Sequence, residues 1–177
     1  MPKPLQEAEP VAFSFADDGL VPNNPLPLVV YRGAFDLGKE HPEKSIEGVF
    51  GAHDWHDMWR DGIYDFLHYH SMIHEAMGVA RGRARVRFGG DDGKEMEIFA
   101  GDAVILPAGT GHQSLWSSTD FVVVGAYPKS GTYNLLRPTK AHHAQALVTI
   151  PKVPLPAIDP VYGKHGALLA LWGARRS

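Results

Sequence analysis

From Ile63 to Tyr127 the chain has no helical periodicity of useful length. It is a series of short runs rich in branched and aromatic residues, cut by glycine and proline. The runs fall at 63–70, 75–80, 83–88, 94–99, 103–106, 112–116 and 121–126. Gly89-Gly90-Asp91-Asp92-Gly93 is a hairpin connection, and Gly101-Asp102 and Pro107-Ala108-Gly109-Thr110-Gly111 are tight turns. Many short strands at close spacing predict a mainly β chain folded as an antiparallel sandwich or barrel.

The flanks read differently. Pro42 stands where proline opens a helix, Glu43 follows in the first turn, and Ile46, Val49, Phe50 and His53 recur at helical spacing. This predicts one helix over about 42–53. Trp55, Met58 and Trp59 then crowd apolar bulk into a short polar stretch, and are expected to cap or line the body of the fold. Residues 1–10 read as a poorly ordered lead-in, with an apolar segment at 11–15, a turn at Asp17-Asp18-Gly19 and a strand within 26–31. After Tyr127, Pro138, Pro151, Pro154, Pro156 and Pro160 predict an extended arm with coil at 154–160. The apolar segment 167–172 is expected to dock on the body or on a second subunit.

A length of 177 residues without internal repeat predicts a single domain over 1–177. A net charge of -3 and a pI near 6.3 give no electrostatic reason to bind nucleic acid or an anionic membrane. Arg81, Arg83, Arg85 and Arg87 alternate and read as one solvated sheet face. The start of the chain has no apolar signal core, and no stretch approaches the roughly 20 apolar residues of a membrane span, so a cytoplasmic location is expected. No Gly-x-Ser-x-Gly elbow or phosphate loop supports serine or nucleotide hydrolysis. Zero cysteines exclude disulfides, thiolate metal sites and a cysteine nucleophile. Ten histidines remain as the source of transition-metal ligands.

His68 and His70 lie two apart in a strand-like run, which places both imidazoles on one face. Glu75 follows after a short connection able to reverse the chain, and His112 opens a later run just past a proline and glycine turn. Three imidazoles and a carboxylate suit a borderline divalent ion with positions left open. The bland alternative is that a histidine in a strand is simply packed or solvated.

With its glycines, the first segment is Gly62-x5-His68-x-His70-x4-Glu75-x6-Gly82, and the second is Gly101-x5-Pro107-x-Gly109-x2-His112. These resemble the two signature motifs of the cupin superfamily, departing only at the end of the second, where Trp116 stands in place of asparagine. The segments DDGLVPNNPLPLVVYRG, GIYDFLHYHSMIHEAMGVARG, AGDAVILPAGTGHQ, VVVGAYP and VPLPAIDPVYG further resemble a family of small, functionally uncharacterised bacterial single-domain cupins. The resemblance implies a double-stranded β-helix, or jelly-roll β-barrel, with signature motifs at 62–116, one helix on the N-terminal side and extended terminal arms. It also implies His68, His70, Glu75 and His112 as ligands of one divalent transition metal (Fe, Zn, Mn or Ni), and a homodimer, since cupins often pair through their sheets.

Around that centre, Tyr64 and Phe66 share the parity of the two histidines and are candidate pocket residues, as are Trp59 and Trp116 at the rim. His74 is a candidate pocket neighbour or a turn residue, and Gln113 should point away. His53 and His56 lack a third ligand, and His142, His143 and His165 are expected to face solvent. The function implied is a small metal-dependent enzyme, dioxygenase- or isomerase-like, acting on a small organic molecule. A non-catalytic binding or storage cupin is the alternative.

Overall fold

The structure, a computed structural model, describes residues 6–176. Among these residues, nine strands form two antiparallel sheets. Strands β1 (Pro10–Phe13), β2 (Leu28–Tyr31), β3 (Trp55–Asp61), β4 (Glu75–Arg81), β7 (Ala103–Leu106) and β9 (Val122–Pro128) build the larger, in the order β1-β2-β7-β4-β9-β3. The smaller is β6-β5-β8, from β5 (Arg83–Phe88), β6 (Lys94–Phe99) and β8 (His112–Ser117). Three helices accompany them: α1 (Pro42–Ala52), α2 (Lys140–Thr149) and α3 (Ala167–Arg176). This is the antiparallel two-sheet arrangement that the turn-punctuated runs predict and the jelly roll that the motif resemblance implies. Among the described residues no helix is long and apolar enough to cross a membrane.

Strand alternation divides the core in two. Leu28, Val30, Met77, Val79, Val104 and Val123 point from the larger sheet toward Ala84, Val86, Phe88 and Ile98 of the smaller. The opposite parity, including Val29, Tyr31, Ala76, Ile105 and Ala126, packs against Ile46 and Phe50 of α1 and Leu168 and Trp172 of α3. Glu75 has the inner parity of Met77, so its carboxylate enters the space between the sheets. α1 begins at the expected proline and is tied to β4 by the Arg81 guanidinium, 2.6 Å from the Glu43 carboxylate. Arg83, Arg85 and Arg87 lie on the outer face of β5, where Arg85 meets Glu97 and Arg87 meets Glu95.

Two segments differ from expectation. Segment 63–70 alternates like a strand but forms only two isolated bridges, His68 with His112 and Tyr69 with Leu136. Its backbone groups are shared between β8 on one side and segment 134–136 on the other, so no continuous ladder forms. The strand lies instead at β3, in the stretch that its apolar crowding marks as a cap. A bulge between His56 and Trp59, with Asp57 at a left-handed φ of 54°, interrupts the two-residue period there.

The tail contains two helices rather than an extended arm. α2 buries only Ala146, so it has no apolar stripe to announce it. Its N-terminus is capped by Thr139, whose side chain accepts from the His142 amide. α3 docks on the body through Leu168 and Trp172. The lead-in, of which 1–5 lie outside the described residues, is anchored from Ala8, whose amide donates to the Tyr162 hydroxyl at 2.8 Å.

Candidate metal centre

Each imidazole at the centre is held through its outer nitrogen. His68 Nδ1 lies 2.9 Å from the Phe66 carbonyl, His112 Nδ1 3.0 Å from the Thr110 carbonyl, and His70 Nδ1 2.6 Å from the Asn134 carbonyl. A carbonyl oxygen can only accept, so Nδ1 carries a proton in all three rings, and Nε2 is the nitrogen left to take a metal or, without one, a further proton. The three rings offer nitrogens within 4.8 Å of one another, all buried. Glu75 completes the group: His112 Nε2 is 3.5 Å from its Oε1 and His70 Nε2 is 3.5 Å from its Oε2.

Local structure explains the convergence. His68 and His112 exchange backbone hydrogen bonds of 3.2 and 3.0 Å, which sets their rings side by side with centroids 4.0 Å apart. The turn before His112 closes back onto the first motif, with the Gly109 amide donating to the His70 carbonyl at 2.6 Å. Gly109 has a φ of 95°, and a Cβ there would lie 2.5 Å from the Asn23 carbonyl oxygen, so the turn requires glycine. Asn134 is fixed in turn by Ser71, whose amide donates to its Oδ1 at 2.9 Å, and Ser71 is reached by Thr149 at the end of α2.

The electrostatics favour a cation. Burial drives the His68 pKa down to about 3, and neighbouring His112 and His70 reinforce the shift, so this ring is neutral at physiological pH. Burial alone would raise the Glu75 pKa, but the charge of His70 and hydrogen bonds from His112 and His70 outweigh it and hold the carboxyl well below its usual range. At His70 burial pulls down while the Glu75 carboxylate pulls up, and the net shift is upward. Converging imidazole lone pairs beside an ionised carboxylate repel one another unless a positive charge sits among them. The donor set therefore fits a borderline divalent metal.

The centre opens into a cavity of about 630 Å³, walled by Trp59, Tyr64, Ile73, Met77, Tyr127 and Tyr133. Asp57, Arg60 and Asp61 stand on its lining as well, but Arg60 is committed to Glu47 by contacts of 2.6 and 2.9 Å. Burial, then the nearby Glu75 carboxylate, pushes the Tyr127 hydroxyl pKa upward.

His68, His70, Glu75 and His112 lie together, and Tyr64 and Trp59 stand on the cavity lining. Phe66 stands behind Tyr64, stacked at 4.7 Å and edge-on to His68, rather than on the wall. His74 is not a pocket residue. Its parity is that of Ala76, so it faces the outer core, where its ring lies 4.8 Å from Trp172 and its Nδ1 accepts from the Ala108 amide. Trp116 is not at the rim either. β5 pairs Val86 with Ser114 and then Arg85 with Trp116, so a bulge at Leu115 turns the indole to the outer face, under the Arg83 guanidinium. Gln113 points away as expected, donating to the Asp65 carbonyl. His53 and His56 bind the Pro160 carbonyl and Asp54, and join no metal-competent group among the described residues. His165 is exposed, whereas His143 ties α2 to Asp17 at 2.8 Å.

Met77, Tyr127, Tyr133 and Asn134 were not anticipated. Met77 could have been found from its two-residue spacing to Glu75. Tyr127 depends on strand register, and the other two on the path of an irregular loop.

No family model matches the chain. Over 168 residues it is 39% identical to the uncharacterized protein YjlB of Bacillus subtilis (strain 168), covering 94% of this chain and 98% of that protein. Among solved structures, it is similar to dTDP-4-dehydrorhamnose 3,5-epimerase from Elizabethkingia anophelis, at 15% identity and a TM-score of 0.43 over 73% of this chain and 77% of that one. It is also similar to acireductone dioxygenase from Bacillus anthracis with cadmium in the active centre, at 17% identity and a TM-score of 0.37 over 50% of this chain, spanning 61% of the dioxygenase. A DUF861 family protein from Thermotoga maritima aligns at 25% identity and a TM-score of 0.31, over 52% of this chain and 96% of its own.

Proposed function

Because the chain belongs to one family with YjlB and carries both motifs that resemble those of cupins, we propose that it is a cupin and a small metal-dependent enzyme acting on a small organic molecule. His68, His70 and His112 would hold the metal through Nε2, and Glu75 through its carboxylate. Bound there, iron would serve oxygenase chemistry, whereas zinc, manganese or nickel would polarise a carbonyl for isomerisation.

The observation that carries this reading is the shared orientation of the three rings: all three Nδ1–H groups are spent on backbone carbonyls, the rings bring nitrogens within 4.8 Å of one another, and Nε2 of His70 and of His112 faces Glu75. The chain's own groups would bind and orient the substrate. Tyr64 and Tyr133, both half exposed, would offer hydroxyls to it, while Trp59, Ile73 and Met77 supply apolar wall. With Arg60 held by Glu47, a partly apolar carbonyl or carboxylate compound suits the cavity better than a phosphate ester. We further propose one cupin domain over the whole chain, assembled as a cytoplasmic homodimer.

The test is elemental analysis of the purified protein and of His68→Ala and Glu75→Ala. Bound iron, zinc, manganese or nickel in the parent and its loss from both variants is expected; unchanged metal in both ends the proposal. Oxygen uptake and product mass, followed with metal-loaded protein and candidate substrates, then separate the reaction classes. Reproducible ligand binding without turnover under any of the four metals would favour a binding or storage cupin. A monomer mass by light scattering would exclude the homodimer.

A further inference from the structure

The larger sheet carries a row of contacts behind Glu75 that the ligand set does not use. Met77 pairs with Gly125, and Gly125 with Trp59, across β4, β9 and β3. A Cβ on Gly125 would lie 2.0 Å from the Trp59 ring, so the indole lies flat across the bare glycine backbone. From there Trp59 Nε1–H donates to the Tyr127 hydroxyl oxygen at 3.0 Å. The rung next to Ala76 and Ala126 sets Tyr127 directly beside Glu75, at the separation of cross-strand neighbours. Glu75 and Tyr127 line the same cavity, and the charge of the Glu75 carboxylate acts on the Tyr127 hydroxyl.

A phenol has one proton. With its oxygen accepting from Trp59, Tyr127 has its own O–H left to give, and the carboxylate beside it is the Glu75 side chain. Donation from the indole polarises that O–H and strengthens it as a donor.

We propose that Trp59 and Tyr127 form a hydrogen-bonded brace that positions the Glu75 carboxylate for its ligand role, with Gly125 providing the space in which the brace is laid. The inference rests on the reading of Glu75 as a metal ligand. Tyr127 and Trp59 are positioning residues: they act through Glu75, fixing its orientation and drawing off part of its charge. This is the arrangement by which outer partners commonly tune a metal site.

Two measurements on the full chain test it. In metal-free, ¹⁵N-labelled protein the Trp59 indole N–H resonance, assigned by its loss in Trp59→Phe, should move in Glu75→Gln. It should no longer respond to Glu75→Gln when Tyr127 is also changed to Phe. An indole signal indifferent to Glu75→Gln in the otherwise unchanged protein overturns the brace. In cobalt-loaded protein, chelator competition should show Tyr127→Phe weakening metal binding by about 10- to 100-fold, with a shifted cobalt absorption band. Trp59→Phe keeps a ring over Gly125 and should cost less. The double variant should bind no worse than Tyr127→Phe, because the two residues act in series. Additive losses, or full cobalt affinity in folded Tyr127→Phe, overturn the proposal. Equal cobalt affinity in the parent and in Glu75→Gln defeats the ligand reading instead, and the first measurement tells the two failures apart because it involves no metal.

Discussion

Tyr31 and Asp159 stand 128 positions apart in the chain, yet the Tyr31 hydroxyl donates to Asp159 Oδ2 at 2.5 Å in the interior. The same carboxylate accepts from the amides of Val161, Tyr162 and Leu168. One side chain of the larger sheet thereby fastens the turn at 159–163 and the start of α3 to the outer core.

Tyr31→Phe should therefore destabilise the fold without touching the metal centre. It leaves Asp159 short of a donor in a buried setting, which costs about 1–3 kcal/mol. A lowering of Tm by roughly 2–10 °C is expected for a chain of this size, with cobalt affinity unchanged. Differential scanning calorimetry measures the first and chelator competition the second; an unshifted Tm would mean that the Tyr31–Asp159 hydrogen bond contributes nothing to holding the tail.

The buried tyrosines set the alkaline limit. Burial, then Asp159, raises the Tyr31 pKa; burial, then Glu75, raises that of Tyr127; and burial pushes Tyr69 up to about 12 from an ordinary 10.0. A raised folded pKa means that the unfolded chain loses its proton first. The stabilisation is complete below about pH 10 and is lost as pH climbs through the folded values. Urea melts should be flat from pH 8 to 10 and then fall, by about 1.4 kcal/mol per pH unit for each tyrosine still protonated in the fold. A flat profile to pH 12 would contradict this. Tyr31→Phe should shallow the slope by one tyrosine.

Metal addition should raise Tm in the parent protein. A ligand at 100 times its Kd stabilises the folded state by about 2.7 kcal/mol, so cobalt should produce a clear shift in a thermal melt. His112→Ala should abolish it, since one of the converging lone pairs is gone. An equal shift in both proteins would place the ion elsewhere.

Asn134 offers a subtler test. Its carbonyl orients His70, while its side chain binds Ser71 through both the Ser71 amide and hydroxyl. Asn134→Ala keeps the carbonyl but frees the loop that aims it, so metal affinity should fall by about 10-fold with little change in Tm. Chelator competition decides the point; unchanged affinity would mean that backbone alone holds the loop.

Much of the fold could be read from local chemistry. Strands β5, β6 and β7 lie where branched residues and glycine turns mark them, and α1 begins at its proline. The exceptions share a cause: their pattern was broken or borrowed. The bulge at Asp57 hid β3, the even composition of α2 hid a helix with one buried side chain, and 63–70 alternates like a strand but divides its backbone bonds between two neighbours, so that no ladder forms.

The site divides along the same line. The identity, order and spacing of His68, His70, Glu75 and His112 are properties of the chain itself, because ligand chemistry and turn geometry are local. The placing of the wall around them is not. Tyr127 stands beside Glu75 through the register between β4 and β9, Trp116 faces outward because of one extra residue opposite β5, and His74 meets Trp172 from the far end of the chain. Register, bulges and docking arise from pairings between distant segments, and those pairings exist only once the two sheets and the tail have come together.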